Sequence, residues 1–312
     1  MQLFQRIKGA LLLLLAAAIW GFAFTAQTAA ADTVEPFTFN GLRSVIGSAV
    51  LLGYILLRAR RSGDPVVPAE PADRKTLLLG GVLCGAVLFV SVNFQQFGIA
   101  SYPDGVAVSG RGGFITALYV ILVPVCGFFF HRRVQPIVWG AVAVSLAGMY
   151  LLCFTSGFSG LYWGDVLVFG CALSFTAHIL VVDHFARRTD GVKLSCVQFF
   201  TCGALSLIGM VLFESPDWSA VLQAWLPLLY AGVMSSGVAY TLQIIGQKTT
   251  EPAVAPLVMS LESVFAGIGG WLILNERLSA RELLGCALVF AAVILAQMPE
   301  IRAARRSAAA KT

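Results

Sequence analysis

Glu262 is the residue whose type and position most invite chemistry. It lies about ten residues into an apolar run, Ala253–Leu274, which at 1.5 Å per residue of helix is roughly 15 Å deep. A carboxyl at that depth in a membrane must find a partner, face water or stay protonated. Three jobs fit: holding a solute ammonium, cycling a proton, or anchoring one helix to another by hydrogen bonds. His178 stands midway along a second run, Gly164–Val182, with Ser174 four residues before it on the same helical face. An imidazole titrates near neutrality and can relay a proton; a polar bond between helices explains the pair equally well. Arg111 enters a third run, Val106–Phe130, where it either holds a carboxylate or snorkels to the membrane surface.

Amides and aromatics at helical spacing add softer signals. Trp20, Phe24 and Gln27 share a face at i, i+4 and i+7, and Tyr240, Gln243 and Gln247 line up similarly. Asn93 and Gln96 share another face, with Gln95 turned aside, and Thr116 and Tyr119 add a fourth group. Amides are disfavoured in lipid, so these faces point inward, either to a cavity or to hydrogen bonds between helices. The candidate solute-binding set is Trp20, Phe24, Asn93, Gln96, Arg111, Thr116, Tyr119, His178, Tyr240, Gln243 and Glu262, with Glu262 and His178 the candidates for proton coupling.

Enzyme chemistry finds no foothold. The chain has no His-x-x-Glu-His, no Asp pair inside its apolar runs, no Gly-x-Ser-x-Gly and no phosphate loop, so neither catalysis nor an ATP-driven cycle is expected. Seven cysteines, none in a CxxC pair and all within apolar runs, read as small packing residues. No metal and no cofactor is called for.

The elements that must position these residues follow from composition. Hydrophobic residues make up 58% of the 312, and charged ones only 12%, about half the share in a soluble globular domain. Both disorder and a soluble fold are excluded, and an all-α integral membrane protein is expected. Ten stretches reach or approach the length of a crossing helix. They are Gly9–Ala31, Phe37–Leu57, Thr76–Ile99, Val106–Phe130, Ile137–Cys153, Gly164–Val182, Val192–Leu212, Trp225–Ile245, Ala253–Leu274 and Ser279–Met298. The first is longer than the apolar core of a signal peptide and is expected to stay in the mature chain.

Counting Lys and Arg sets the orientation. With the N-terminus inside, seventeen fall in inside segments and two, Arg277 and Arg281, outside; Arg43 and Arg111 lie within spans. This bias puts both termini in the cytoplasm. The short clusters of basic residues belong to loops and imply no nucleic acid.

The halves 1–155 and 156–312 resemble each other. Gly9 and Arg43 match Gly164 and Gln198 at an offset of 155, and Gln95-x-x-Gly98 matches Gln243-x-x-Gly246 at 148. His131 to Val134 parallels Asn275 to Leu278 at 144. Five spans per half is an odd number, so the second half enters the membrane from the opposite face. Two inverted five-helix repeats, with a solute site near the midplane between them, are the expectation.

Several segments carry a family resemblance. They are Ile19-Trp20-Gly21-Phe22-Ala23-Phe24, Gly41-Leu42-Arg43, Phe114 to Val120 followed by Val123-Pro124, and Gly164-Asp165. The strongest runs from Ser260-Leu261-Glu262-Ser263 through Asn275-Glu276-Arg277-Leu278 to Leu284-Gly285. In these the chain resembles the drug/metabolite transporter superfamily, in its ten-helix EamA-type permease branch. Ser263 departs from the pattern, standing where the family usually has proline. The resemblance implies a cavity surrounded by spans one, three, four, six, eight and nine, with five and ten at the rear, and it makes Arg43 architectural.

The reading is a secondary transporter of a small metabolite such as an amino acid, an exporter working by alternating access. It is set in the bacterial inner membrane as a monomer or homodimer, with lipid and a small solute its only other partners. The alternative is a non-transporting scaffold or receptor-like protein.

Overall fold

A computed structural model describes residues 2–31, 33–103, 108–129, 134–153, 161–266, 268 and 279–309. The side chains of Phe24, Arg111 and Cys153 lie outside the described set. Regular structure among the described residues is entirely helical: α1 (Gln2–Ala31), α2 (Pro36–Ser62), α3 (Pro71–Ala100), α4 (Val108–Thr116), α5 (Tyr119–Phe129), α6 (Pro136–Cys153), α7 (Trp163–Ala186) and α8 (Gly191–Phe213). Beyond these come α9 (Trp218–Gln223), α10 (Trp225–Tyr230), a π-helix (Ala231–Ala239), α11 (Tyr240–Gln247), α12 (Ala255–Met259), a turn of helix at 262–266, and α13 (Ala280–Ala309). Among the described residues, five helical stretches are long and apolar enough to cross a membrane by themselves: α2, α3, α7, α8 and the run Trp225–Gln247. Shorter apolar helices lie at Ile7–Ala23, Gly112–Gly127, Pro136–Leu151 and Ala255–Ala266.

Large side chains such as Leu52, Tyr54, Leu78, Phe200, Val211 and Phe213 are exposed, where a soluble protein would place polar ones. Meanwhile Asn40, Gln96, His178 and Gln198 are fully buried. This inside-out distribution is what lipid as the surrounding solvent selects.

Helix pairs form the frame. α2 packs along α8, α3 along α7, α1 along the π-helix and α11, and α6 along α13. Several of these contacts need glycine. A Cβ on Gly9 would lie 2.9 Å from the Gly246 carbonyl oxygen, and one on Gly164 would lie 2.8 Å from that of Gly98. Backbones approach there as close as small residues permit.

Two apolar stretches are interrupted midway. Between α4 and α5 the backbone tightens, with N–H groups of Leu118, Val120 and Ile121 each bonded three residues back. Pro124, inside α5, cannot donate to the carbonyl of Val120. After α12, Leu261 and Ser263 likewise bond three residues back. No proline is needed for the second break. The Ser260 hydroxyl donates to the Leu257 carbonyl at 2.7 Å, competing locally with the helical ladder.

Each end of the α2–α8 pair is closed by a carboxylate. At one end Glu214, just past α8, accepts the backbone N–H groups of Phe37 and Thr38, both at 2.7 Å, capping α2 from another helix. At the other end Asp190 caps α8, its Oδ1 accepting from the N–H of Val192 at 2.9 Å and of Lys193 at 3.1 Å. Its Oδ2 takes Arg58 of α2 at 3.0 Å. Burial works to raise the Asp190 pKa, but the Lys193 N–H and the Arg58 guanidinium together hold it below the usual carboxylate value. A carboxylate with a lowered folded pKa stabilises above its unfolded pKa, and that stabilisation is lost as pH falls through the folded value. Asp190→Ala is therefore expected to lose about 1–2 kcal/mol, the size of a lost cap. Thermal unfolding in detergent checks this: the deficit against wild type should be constant from pH 8 to pH 5 and shrink only in strong acid.

Candidate functional site

A narrow cavity of about 50 Å³ lies at the centre of the helix assembly. The two helix breaks deliver one pair of wall positions each. Thr116 and Tyr119 flank the α4–α5 break, and Met259 and Glu262 flank the break after α12. Trp20 and Gln27 come from α1, Arg43 from α2, Gln95 from α3, and Phe175 and Ile179 from α7. Ser235, Tyr240 and Gln243 come from the π-helix and α11.

The π-helix explains how Ser235 joins Tyr240. Residues five apart on an α-helix point about 140° apart, at roughly 100° per residue. Bonding five residues back, as the Tyr240 N–H does to the Ser235 carbonyl, widens the turn to about 4.4 residues and brings that separation down to about 50°. The next residue, Ser236, packs against α2, where a Cβ on Gly47 would meet its Cβ at 2.7 Å.

Charge is placed sparingly. Arg43 and Glu262 are the charged side chains of the wall, and neither forms an ion pair among the described residues. The Arg43 Nη1–H donates to Gln27 Oε1 at 3.3 Å, and the guanidinium lies 5.7 Å from the Phe39 ring centre. Its Nε is buried without a hydrogen-bond partner. Tyr240 lies within electrostatic reach of both Arg43 and Glu262. The Trp20 ring stands edge-on to Tyr240, with centroids 4.7 Å apart. The Trp20 Nε1 and the Gln243 Oε1 are also buried without partners among the described residues. Unpaired donors and acceptors around one small space are what a polar solute needs.

Of the residues the sequence singles out, six meet here: Trp20, Thr116, Tyr119, Tyr240, Gln243 and Glu262. Phe24 and Arg111 have side chains outside the described residues. Asn93, Gln96 and His178 are not among the residues that line the cavity. The Asn93 amide donates to the Phe89 carbonyl at 2.8 Å and to the Ser206 hydroxyl at 3.4 Å, and its oxygen accepts from Asn40 at 3.1 Å. Gln96, on the same face, is fully buried with both side-chain heteroatoms unpartnered. That face of α3 meets neighbouring helices, and Gln95, expected to turn aside, lines the cavity and donates to Thr116 Oγ1 at 3.4 Å. His178 sits behind the wall, 2.9 Å from Gln198 Oε1 and edge-on to Tyr240.

Arg43, Gln27, Gln95 and Ser235 escaped the sequence set. Gln95 carries a usable signal in the sequence, because its repeat mate is Gln243. Ser235 carries none, because only the wider π turn brings it round. Gln27 shares the helical face of Trp20 in the first span.

Comparison with known proteins follows the same lines. The chain matches the EamA-like transporter family over residues 7–154 and again over 162–298. It belongs to that family. An uncharacterized transporter of Archaeoglobus fulgidus is 29% identical over 296 residues, covering 94% of this chain and 87% of that protein. The uncharacterized inner membrane transporter YedA of Escherichia coli is 24% identical over 285 residues, covering 89% and 86%. The uncharacterized transporter YoaV of Bacillus subtilis is 21% identical over 287 residues, covering 89% and 92%. A solved crystal structure shares the fold, with a TM-score of 0.75 at 21% identity over 94% of this chain and 98% of that one. Family and apolar helices together make this a multi-pass membrane transporter.

Deleting one residue of the π-helix, such as the exposed Met234, should restore α spacing and turn Ser235 from the wall. Ser235→Cys is expected to react with a small polar thiol reagent in the otherwise wild-type chain. The same cysteine in the deletion variant should lose at least about tenfold in labelling rate while the melting temperature moves little.

Proposed function

We propose that the protein is a secondary transporter that exports a small zwitterionic metabolite, such as an amino acid, by alternating access around the central cavity. The observation that carries this reading is the pair Arg43 and Glu262, opposite charges with no ionic partner on the wall of one space. Buried charges require pairing. A solute carboxylate would complete Arg43, whose Nε and remaining N–H groups suit a planar anion. A solute ammonium would complete Glu262, with the faces of Tyr119, Tyr240 and Trp20 adding cation–π attraction. In this reading Arg43 holds the solute carboxylate, one of the two roles open to Arg111 in the sequence.

Alternating access follows from ten spans arranged as two inverted repeats, 1–155 and 156–312, with both termini cytoplasmic. Support comes from the packing. Exchanging the halves maps Gly9 onto Gly164 and Gly246 onto Gly98, so the Gly9–Gly246 contact becomes the Gly164–Gly98 contact. The same exchange carries Trp20 to Phe175 and Gln95 to Gln243, all on the cavity wall. At an offset of 143 it carries Thr116 and Tyr119 to Met259 and Glu262, and one helix break to the other. Two like units of opposite direction can exchange inward-open and outward-open shapes at similar energy. Two matches to one family along the chain fit this division. The inner-membrane location and the outward direction are part of this proposal.

Of the two proton-coupling candidates, Glu262 faces the cavity and His178 does not, so Glu262 is the coupling group of this proposal. In proteoliposomes carrying the purified protein, exchange tested against amino acids, purines, sugars and cationic drugs should favour zwitterions. Arg43→Gln and Glu262→Gln should each reduce that exchange by at least about tenfold, the loss of one charge-assisted hydrogen bond. Loss of pH dependence in the Glu262→Gln residual activity is expected; unchanged pH dependence would remove the residue from coupling. Absence of flux for every solute would favour a scaffold.

A further inference from the structure

A second recess, of about 300 Å³, lies at the Asp190 end of the α2–α8 pair. Its walls come from the segment before α3 (Pro68), the first turns of α3 (Asp73, Leu77), and the α7–α8 turn with the start of α8 (Arg187, Arg188, Lys193). By the charge bias above it faces the cytoplasm, and its ligand has nothing to do with the solute path.

The charges in this recess are unequally satisfied. The Asp190 carboxylate is fully engaged by Arg58 and the two α8 amides. Lys193 is buried, its amine near Asp64 at 3.9 Å and donating to the Pro65 carbonyl. Arg187 donates one Nη2–H to Asp183 at 3.1 Å with its side chain half exposed. Arg188 is exposed and lies 3.0 Å from the His184 imidazole, and no carboxylate among the described residues pairs with it. One guanidinium is thus half committed and its neighbour is without an anion, at the rim of a recess wide enough for a headgroup. Beside the recess, exposed Leu78 and Val82 stand one turn apart on α3. They continue from charge to apolar surface in the order in which a phospholipid passes from headgroup to chain.

We propose that this recess binds an anionic phospholipid, its phosphodiester held by Arg188 and Arg187 and its chains lying along the exposed face of α3. Basic pockets between membrane helices on the cytoplasmic side are suited to such headgroups. The exposed Asp73 carboxylate opposes a second negative charge but accepts hydrogen bonds from a glycerol hydroxyl. Phosphatidylglycerol, with one charge and two hydroxyls, therefore fits better than a doubly charged headgroup.

The test is native mass spectrometry of the full-length protein in detergent, titrated in separate experiments with phosphatidylglycerol, phosphatidylethanolamine, phosphatidylcholine and inorganic phosphate. Detergent presents lipid to both faces, so the outcome does not depend on orientation or on any transport activity. Wild type is expected to retain phosphatidylglycerol at least about fivefold better than either zwitterionic lipid, the effect of about one surface arginine. Arg188→Ala, which removes no ion pair, should abolish that preference with an unchanged melting temperature, and Arg188→Lys should keep most of it. Arg60→Ala with Arg61→Ala, also basic but outside the recess, should leave it intact. Equal retention of all three lipids, loss of preference in the Arg60/Arg61 variant as much as in Arg188→Ala, or displacement of lipid by millimolar inorganic phosphate would each overturn the proposal.

Discussion

A guanidinium and a carboxylate held inside a membrane protein without an ionic partner constrain everything around them. Removing either from water costs several kcal/mol even after the protein relaxes, and stability alone gives no reason to keep them apart. Arg43 is supported only in part, by Gln27 and the face of Phe39. Glu262 has no hydrogen bond or ion pair among the described residues. The arrangement makes sense when a third party, carrying both charges, enters the space between.

Holding such a space open takes backbone irregularity. Regular α-helices packed side by side close on one another, and their polar groups then meet between helices, as those of Asn93 do here. The cavity forms where the ladder is disturbed: at 117–118, at 260–261 and along Ala231–Ala239. Irregular backbone at membrane depth is tolerated where it is buried in protein or lines a wet space. On the proposed two-fold arrangement, the first two disturbances are one feature used twice. The chemistry then differs where the halves diverge, Arg43 against Gln198 and Tyr119 against Glu262.

Much of this was legible in the residues. Composition fixes the solvent, hydropathy locates the helices, and Glu262 announces itself by depth. Legibility fails where a face has to be assigned. Two amides at i and i+3, like Asn93 and Gln96, mark an inward face, but an interface between helices and a cavity demand the same polarity. Spacing alone favours that pair over Gln95. Ser235 is hidden from an α-helical reading because the stretch that carries it is a π-helix. Arg43 looked architectural because it recurs through the family, whereas its position on the wall depends on how α2 is rotated against α1, which no local pattern records.

The most direct measurement compares three forms of one solute, chosen as the best zwitterion found in exchange experiments: the zwitterion itself, its carboxyl amide and its N-acetyl derivative. Affinities are read by titration calorimetry on wild type, Arg43→Gln and Glu262→Gln. Wild type should discriminate against both derivatives. The expected result is that Arg43→Gln loses discrimination against the amide only, and Glu262→Gln loses discrimination against the N-acetyl form only. Equal weakening of all three ligands by both substitutions would show that neither charge meets the solute and would contradict the reading.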